Sequence, residues 1–593
     1  MKKNGENDSI IKKLNQKGIT LVALVVTIVV LLILAGITIN MLLGENGIIR
    51  IAQEAKNTWE NAIINEQESL NSLLDELNDE LRDKSKDIYV FLYNDGTLVF
   101  SNKNELIEGK TLVKEYGNIA GKEYEPNWID GVLVTNTPWF EDRNNIFKVN
   151  FLDEIKPTST FVWFATCKQI TQIEGINHLN TKYVTNMSRM FEQCENLTDL
   201  DVSNFDTRNV TNMESMFSGC INVKELDVSN FDTSNVTNMG AMFNNCKSLT
   251  TLDVSNFDTS KNTNMYYMFS YLTLTEIKGI ENFNTQNVTN MYHTFFLCKN
   301  LTNLDVSGFN TSKVTTMGQM FAVCENLTSL NVSKFDTSQV TDMYSMFYFC
   351  RTLTSLDVTK FDTSKVTDMT QMFAGCEGLT NLNVSTFNTS NVTTMTHMFR
   401  ECKALENLDL SNFNTSQVTN MALMFYHCEK LKTLNISKFD TQNVTSMDRM
   451  FSDCYELTGV DISGFDTSKV TSMRLMFGFC ENLTNLDVSK FNTSQVTDMY
   501  SMFYSCKKLS NIDSSHFDTS KVTNMEQMYS NCYELTSLDL SSFDTNLVTN
   551  MKSMFSNSSK LTIIYVGPKW VINDETSIDK MFEGCGTSSV TPK

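Results

Sequence analysis

The chain is poor in proline, tryptophan and histidine, with five of each among 593 residues. Every proline and every tryptophan lies outside residues 179–567. Only 20% of the side chains are charged, and 69 acidic residues outweigh 48 basic ones, which gives a formal charge of −21. This acidity argues against a nucleic acid as the main partner. The hydrophobic content of 41% is too high for a chain that is disordered throughout.

The familiar catalytic patterns are also missing. The sequence has no G-x-S-x-G, P-loop, H-E-x-x-H or dinucleotide-binding fingerprint. It has neither paired C-x-x-C motifs nor an EF-hand loop. The histidines lie far apart in the sequence with no recognisable nucleophile beside them, at His178, His293, His397, His427 and His516. We therefore predict a protein that is not an enzyme and has no cofactor and no resident metal.

A repeat of 26 residues dominates the chain. Each unit follows F-(D/N)-T-S-x-V-T-x-M-x-x-M-F-x-x-C-x-x-L-x-x-L-(D/N)-V-S-x. A fixed period of about 20–29 residues is typical of a solenoid, in which each unit forms one coil and the coils stack. The first phenylalanine of the unit recurs without any insertion at Phe205, Phe231, Phe257, Phe283, Phe309, Phe335, Phe361, Phe387, Phe413, Phe439, Phe465, Phe491, Phe517 and Phe543.

The two halves of the unit differ in periodicity. Val210, Met213 and Phe217 follow helical spacing, whereas Leu226 and Val228 alternate as in a strand. We therefore predict one short strand and one short helix or turn per coil. Stacking the strands builds a parallel sheet, so the predicted fold class is an α/β repeat solenoid with leucine-rich-repeat-like coils.

These units resemble the BspA-like leucine-rich-repeat surface proteins, in the repeat family with V-T-x-M-x-x-M-F-x-x-C and F-D-T-S. The resemblance covers about 420 residues, and one methionine position is filled in 15 successive units from Met187 to Met551. It implies a bacterial cell-surface protein of a family whose members bind host proteins or other bacteria.

The repeat array is predicted to span residues 161–567. A degenerate coil at 161–178 predicts an N-terminal cap. At 568–593, Pro568 and Trp570 replace the usual F-D-T-S turn and predict a C-terminal cap and tail. Asn262 replaces valine and Leu272 replaces cysteine, which predicts a seam near residues 257–283.

Residues 87–160 predict a small β-rich module. Strand-like runs flank Asn94-Asp95-Gly96, a hairpin turn signal. The module precedes the array directly, so we expect it to shield the first strand edge from pairing with another chain.

The N-terminal region predicts a membrane anchor. Residues 18–44 carry no charge, and their apolar run is long enough to cross a bilayer as a helix. Five lysines within residues 1–17 predict a cytoplasmic leader, with the rest of the chain outside the cell. Residues 45–86 have helical apolar spacing and predict a helical stalk.

The stretch Lys17-Gly18-Ile19-Thr20-Leu21 resembles the processing motif of type IV prepilins. The resemblance implies cleavage between Gly18 and Ile19 and a filament in which other pilus subunits are partners. An uncleaved signal anchor is the alternative. Both place the bulk of the chain on the surface of the cell, which we expect to be a Gram-positive bacterium, with the membrane as partner of residues 18–44.

The large numbers of cysteine and methionine follow from positions of the repeat that we expect to lie in the core. All 15 cysteines occupy the M-F-x-x-C slot or its degenerate form, and 29 of the 32 methionines occupy the two methionine positions. We predict that both residue types pack in the core, with the cysteines as free thiols. Thr207, Thr233 and their equivalents are predicted to cap the next short helix.

The aspartates of L-(D/N)-V are the candidate ligand-binding residues. Each lies between two inward residues of a strand, so it points outward, and the stack forms a stripe on the expected concave face. A docking surface for an extracellular protein or other cell-surface ligand is one interpretation, and solubility is the other. Asn331, Asn383 and Asn435 interrupt the stripe, which consists of Asp201, Asp227, Asp253, Asp305, Asp357, Asp409, Asp461, Asp487, Asp513 and Asp539.

The sequence thus predicts a cell-surface leucine-rich-repeat protein that mediates adhesion or macromolecular binding through the solenoid surface. A pilin-like structural subunit and a passive surface spacer are the alternatives.

Overall fold

The computed structural model describes residues 87–129 and 132–593. The predicted leader at 1–17, membrane helix at 18–44 with Gly18 and Ile19, and stalk at 45–86 lie outside the described residues. Within the described ranges, no helix combines the length and hydrophobicity needed to cross a membrane.

The module before the array contains six strands, of which the first two coincide with the two strand-like runs around the predicted hairpin turn. The hairpin of the first two strands turns at Asn94-Asp95-Gly96, where Gly96 has a φ of 76°. A 3-10 helix at Phe140–Asn145 precedes the sixth strand. The strands are β1 (Tyr89–Tyr93), β2 (Thr97–Ser101), β3 (Leu112–Asn118), β4 (Pro126–Ile129), β5 (Val132–Thr135) and β6 (Lys148–Phe151).

This module continues directly into the array. Its main sheet has the order β3-β1-β2-β6-β7, in which β7 (Gln172–Glu174) belongs to the first coil and pairs with β6 in parallel. Most of the module's buried side chains, including Phe100 and Trp139, belong to the same hydrophobic cluster as the core of the array. The Trp139 indole N–H also donates to the Trp163 carbonyl at 2.6 Å. The module therefore pairs with the first strand of the array, which is the contact that the expected shielding role requires.

The interior of the array repeats the same contacts in every coil. Met187, Met190 and Cys194 are fully buried, as are their equivalents along the array, which confirms the predicted core slots. One continuous column of 17 aromatic rings runs from Phe164 to Phe582, with neighbouring centroids 5.3–6.1 Å apart. These buried rings and thioethers supply the apolar surface that stabilises the stack.

Of the short helix or turn expected in each coil, the structure shows turns. Between the first methionine and the cysteine, the chain makes two successive four-residue turns, closed by Met190 N–H to Met187 O at 3.2 Å and Cys194 N–H to Phe191 O at 3.1 Å. Arg189 and Gln193 adopt positive φ values of 58° and 57°, which an α-helix cannot contain. The helical spacing of the apolar residues instead reflects burial on the inner side of these turns. Within the described array, the helices are 3-10 turns at Ile176–His178 and Ile280–Asn282.

The remaining backbone groups of these turns bond to the next coil. The N–H groups of Met187, Arg189, Phe191 and Gln193 donate to carbonyls one coil further on, at 2.7–3.0 Å. Parallel single-residue bridges continue this ladder from Ser159–Asn186 to Asn550–Ser577. Parallel stacking of 26-residue coils is thus confirmed, and the architecture is a β-solenoid.

The predicted parallel sheet on the leucine side is regular only in parts. One strand pair lies within the array, and a three-stranded sheet lies at its C-terminal end. There β12 adds to the last coil, as expected of a C-terminal cap. The strands are β8 (Asn407–Asp409), β9 (Thr433–Asn435), β10 (Ser537–Leu540), β11 (Ile563–Val566) and β12 (Thr591–Pro592).

The threonines of F-(D/N)-T form a second connection between coils. The Thr207 hydroxyl is buried and donates to the carbonyl of Asp232 in the next coil at 3.0 Å. Equivalent bonds run from Thr181 to Thr519. The predicted role of these threonines as helix caps is therefore wrong, because no helix follows them and their hydroxyls bond to the neighbouring coil.

The predicted seam near residues 257–283 is a change of register. Asp253 bridges to Lys278, which is 25 residues further on rather than 26. Gly279 follows with a φ of 88°, and a Cβ atom there would lie 2.3 Å from the Ser255 backbone nitrogen. Only glycine fits this close approach. The buried Asn262 side chain accepts the Met239 N–H at 3.2 Å, a bond that valine could not make.

Substitution of Thr363 by valine tests the threonine connection. Its hydroxyl donates to Asn388 O and accepts from Asn388 N–H, both at 2.8 Å. Valine keeps the shape but leaves two backbone groups without partners, so we expect a loss of about 2 kcal/mol and a lower midpoint of urea denaturation. The exposed Thr380→Val is the control and should change the midpoint little. Equal midpoints for the two variants would contradict the role of the threonines.

Candidate functional site

Two sets of outward side chains run along the solenoid. The sheet face consists of the residues on either side of the second leucine in L-x-x-L-x-V, such as Asn381 and Asn383 around Leu382. The turn face consists of the two residues between the methionines and the two between phenylalanine and cysteine, such as Tyr292, His293, Phe296 and Leu297. The inter-coil ladder holds the backbone of the turn face at a fixed spacing, whereas strands pair on the sheet face at β8–β9 and at the C-terminal end of the described array.

The predicted aspartate stripe lies on the sheet face, and its members are exposed except for the half-buried Asp539. One carboxylate oxygen of each accepts the backbone N–H two residues later, as in Ser463 N–H to Asp461 at 3.1 Å and Ser489 N–H to Asp487 at 2.9 Å. Hydrogen bonds from these serines hold the pKa of Asp461 and Asp487 below the usual range. Each aspartate therefore has a structural role in its own turn and presents one remaining oxygen.

Two members of the stripe also form ion pairs. Lys278 lies 2.5 Å from Asp253 and, as the main cause, lowers the pKa of that carboxyl to about 2. Lys593 lies 2.5 Å from Asp539. Ligand binding by the stripe stays a prediction.

A shallow depression of about 530 Å³ lies along the stripe. It lies over three successive coils and includes residues of β8 and β9. Its polar lining includes Asn383, Asp409 and Asn435, so two of the three stripe positions here are amides. The leucines between the outward residues form its floor.

The turn face was not recognised as a candidate site from the sequence, although a signal is present there. Half of the 18 tyrosines of the chain occupy its four positions, while the inner residues of the coil hardly vary. Serine, glycine and asparagine fill many of the other turn-face positions, as at Ser270, Gly318 and Asn244. The nine tyrosines are Tyr266, Tyr267, Tyr271, Tyr292, Tyr344, Tyr348, Tyr426, Tyr500 and Tyr504.

An aromatic cluster, formed by Tyr267, Tyr292, His293 and Phe296, is the densest part of the turn face. The His293 ring stacks 3.9 Å from Tyr292 and 4.4 Å from Phe296, measured between centroids. Tyr267 meets it edge-on at 4.3 Å. Burial lowers the pKa of His293 to about 4, so the cluster is uncharged at neutral pH.

Further along the turn face, cations lie against aromatic rings. The Arg351 guanidinium lies 4.3 Å from the Phe349 ring centroid, and Arg474 lies 4.2 Å from that of Tyr500. Phe349 also packs edge-on against Tyr348 at 4.3 Å. These contacts hold the rings in place while leaving them half-exposed.

Metal binding and histidine chemistry have less support among the described residues. Among residues 87–129 and 132–593, no three histidine, cysteine, aspartate or glutamate side chains come together as metal ligands. His427 lies 3.8 Å from Asp453 and 3.7 Å from Glu429, too far for hydrogen bonds.

The cysteines form a column of free thiols, as predicted. The Cys350 thiol donates to the Phe321 carbonyl of the preceding coil at 3.2 Å, and Cys376 donates to Phe347 in the same way. Burial raises the pKa of Cys376 to about 12. Cys585 in the C-terminal cap is only half-buried.

The family model described as Mycoplasma protein of unknown function, DUF285, matches residues 158–278, 263–377, 350–434, 407–511 and 476–591. Together these matches span well over half of the chain. A search of the curated proteins finds no significant match.

Several solved structures are similar to the chain at low identity. A leucine-rich repeat protein from Bacteroides ovatus is 14% identical, covering 82% of this chain and 88% of its own, with a TM-score of 0.28. A leucine rich cell surface protein from Faecalibacterium prausnitzii is 16% identical, covering 68% and 94%, with a TM-score of 0.31. The functional domain of InlJ from Listeria monocytogenes, which includes a cysteine ladder, is 20% identical, covering 67% and 64%, with a TM-score of 0.22.

Alkylation by iodoacetamide at pH 8 tests the burial of the thiols. A raised pKa lowers the thiolate population, and burial blocks access, so we expect modification at Cys585 alone in the native protein. After unfolding in guanidinium, all 15 cysteines should react, as counted by intact mass. Native modification at interior positions such as Cys376 at the rate of Cys585 would contradict the packing.

Proposed function

We propose that this chain, which belongs to the family described as Mycoplasma protein of unknown function, DUF285, is a bacterial cell-surface protein that binds an extracellular protein through its turn face. The observation that carries the proposal is the concentration of half-exposed tyrosines on one face of a repeat whose inner residues are nearly constant. Adhesion is the biological role that this binding would serve.

Tyrosine suits such a surface for a physical reason. It offers a large contact area with only two rotatable side-chain bonds, so little conformational entropy is lost on binding, and serine, glycine and asparagine beside it adapt their hydrogen bonds. The hydroxyls of Tyr292, Tyr348 and Tyr426 have no hydrogen-bond partner within the part of the chain that the structure describes. They are therefore available to a partner.

The turn face is also preorganised. The stacking of Tyr292, His293 and Phe296 fixes these rings before a partner arrives, and Arg351 and Arg474 lie against neighbouring rings. Tyrosine and arginine are enriched among the residues that dominate the free energy of protein–protein binding. Fixing them in advance lowers the entropic cost of association.

The location at the cell surface rests on the sequence of the N-terminal region. Lysines precede the uncharged residues 18–44, a pattern that holds the following chain outside the cell. Cleavage between Gly18 and Ile19 and assembly into a pilus-like filament stay predictions, as does the passive spacer.

A triple variant on the turn face tests the proposal. We suggest Tyr292→Ser, Tyr348→Ser and Tyr426→Ser together, because serine occupies the equivalent positions in other coils, as at Ser188 and Ser218. Binding of residues 86–593, a compact unit, would be measured by surface plasmon resonance against purified extracellular-matrix and cell-surface proteins. Loss of about 2 kcal/mol per dominant residue predicts at least a tenfold weaker affinity for the bound protein.

The matched control lies on the sheet face. Asp357→Asn, Asp461→Asn and Asp513→Asn together also introduce a residue that the repeat uses at Asn331. The control should bind within about twofold of the unchanged protein, since surface changes outside an interface contribute little. Weaker binding of the control alone would assign the partner to the aspartate stripe. A lack of saturable binding to every protein tested would favour the spacer.

A further inference from the structure

We infer that the depression over β8 and β9 is a binding site for a neutral saccharide chain. This site lies on the sheet face and is separate from the protein-binding turn face. Its lining combines asparagine side chains, one carboxylate and leucine side chains.

The amide groups of the depression present donors rather than acceptors. The side-chain oxygen of Asn383 accepts the Ser385 N–H at 3.0 Å, and that of Asn435 accepts the Ser437 N–H at 3.4 Å and its hydroxyl at 2.9 Å. The Asn407 oxygen accepts the Thr433 hydroxyl at 2.5 Å. The Asn435 side chain also interacts with the Asp409 carboxylate. The donors left for a ligand are the NH₂ groups of Asn383 and Asn407, which favour a ligand rich in neutral acceptor oxygens.

The charge pattern selects among such ligands. From residue 305 to residue 435 the stripe alternates between aspartate and asparagine, so Asp409 is the single carboxylate among the three stripe positions of the depression. The next carboxylates of the stripe, Asp357 and Asp461, lie two coils before and two coils after Asp409. These carboxylates repel phosphates and acidic sugars, while the amide donors do not attract a cation. Asp409 can accept a hydrogen bond from a sugar hydroxyl.

The shape of the depression agrees with a neutral saccharide as the ligand. Leu382 and Leu434 in its floor retain 8% and 7% exposure, and they offer an apolar surface to the C–H face of a sugar ring. The paired strands keep neighbouring coils at about 4.8 Å, so three coils present a path of about 10 Å along the solenoid axis. A short run of linked sugar units fits that path.

Neutral tetrasaccharides provide the test. Cellotetraose, maltotetraose, chitotetraose and mannotetraose would be titrated into the full chain, with tetragalacturonate as the acidic comparison, by isothermal titration calorimetry and saturation-transfer NMR. The test variant is Asn383→Asp with Asn435→Asp. Aspartate is the residue that other coils use at these positions, so the turns survive, but two amides become carboxylates beside Asp409. We expect at least one neutral tetrasaccharide to bind and the double variant to lose tenfold or more in affinity.

The control is Asn331→Asp, which makes the same change on the stripe outside the depression. It should leave the affinity within twofold. Binding of no neutral tetrasaccharide would overturn the inference, as would equal affinity of the double variant or a preference for tetragalacturonate. Amide-exchange protection by the bound sugar should fall on residues 381–385, 407–409 and 433–435. Protection confined to the turn face, or a protein ligand that alone occupies the depression, would also overturn it.

Discussion

The hydrogen bonds that leave one coil and end on the next are the constraint on which the rest of this structure depends. The turns between methionine and cysteine can satisfy only part of their backbone internally, so Met187, Arg189 and Phe191 donate across to the following coil. A buried backbone group without a partner is costly, and every coil must therefore present its carbonyls at the same place as its predecessor. This requirement explains why the 26-residue period continues without an insertion from Phe205 to Phe543.

The same constraint separates the residues that can vary from those that cannot. Inner side chains belong to continuous columns, so a change in one has to be matched by its neighbours. Tyr529 replaces phenylalanine in the ring column, and its hydroxyl bonds at 2.9 Å to Ser514, which stands where valine is usual. Outward side chains carry no such requirement. The solenoid therefore provides a rigid backbone on which the turn face can accumulate tyrosine and the sheet face can exchange aspartate for asparagine.

Much of this arrangement could be predicted from the sequence. The spacing of the residues predicts the period, the buried positions of the coil and the free thiols. Departures from the repeat at Asn262 and Gly279 predict the seam, and the strand-like runs before the array predict a β-rich module. The choice between a short helix and a turn could not be made, because Met and Phe at helical spacing look the same on a succession of turns, and residues such as Arg189 give no signal of a positive φ. The turn face was missed because single departures from the repeat, such as His293 and Tyr504, look the same as drift between copies. Counting tyrosines by repeat position would have identified it.

Amide hydrogen exchange resolved to single residues tests the inter-coil ladder most directly. The N–H groups of Ser345 and Phe347 donate to Thr370 O at 2.9 Å and Met372 O at 3.0 Å in the next coil. Ser364 N–H donates only to the exposed Asp362 side chain, at 2.9 Å. The account predicts slow exchange at Ser345, Phe347 and their equivalents in every interior coil, and fast exchange at Ser364. Exchange at Ser345 as fast as at Ser364 would contradict the ladder and the rigidity of the turn face.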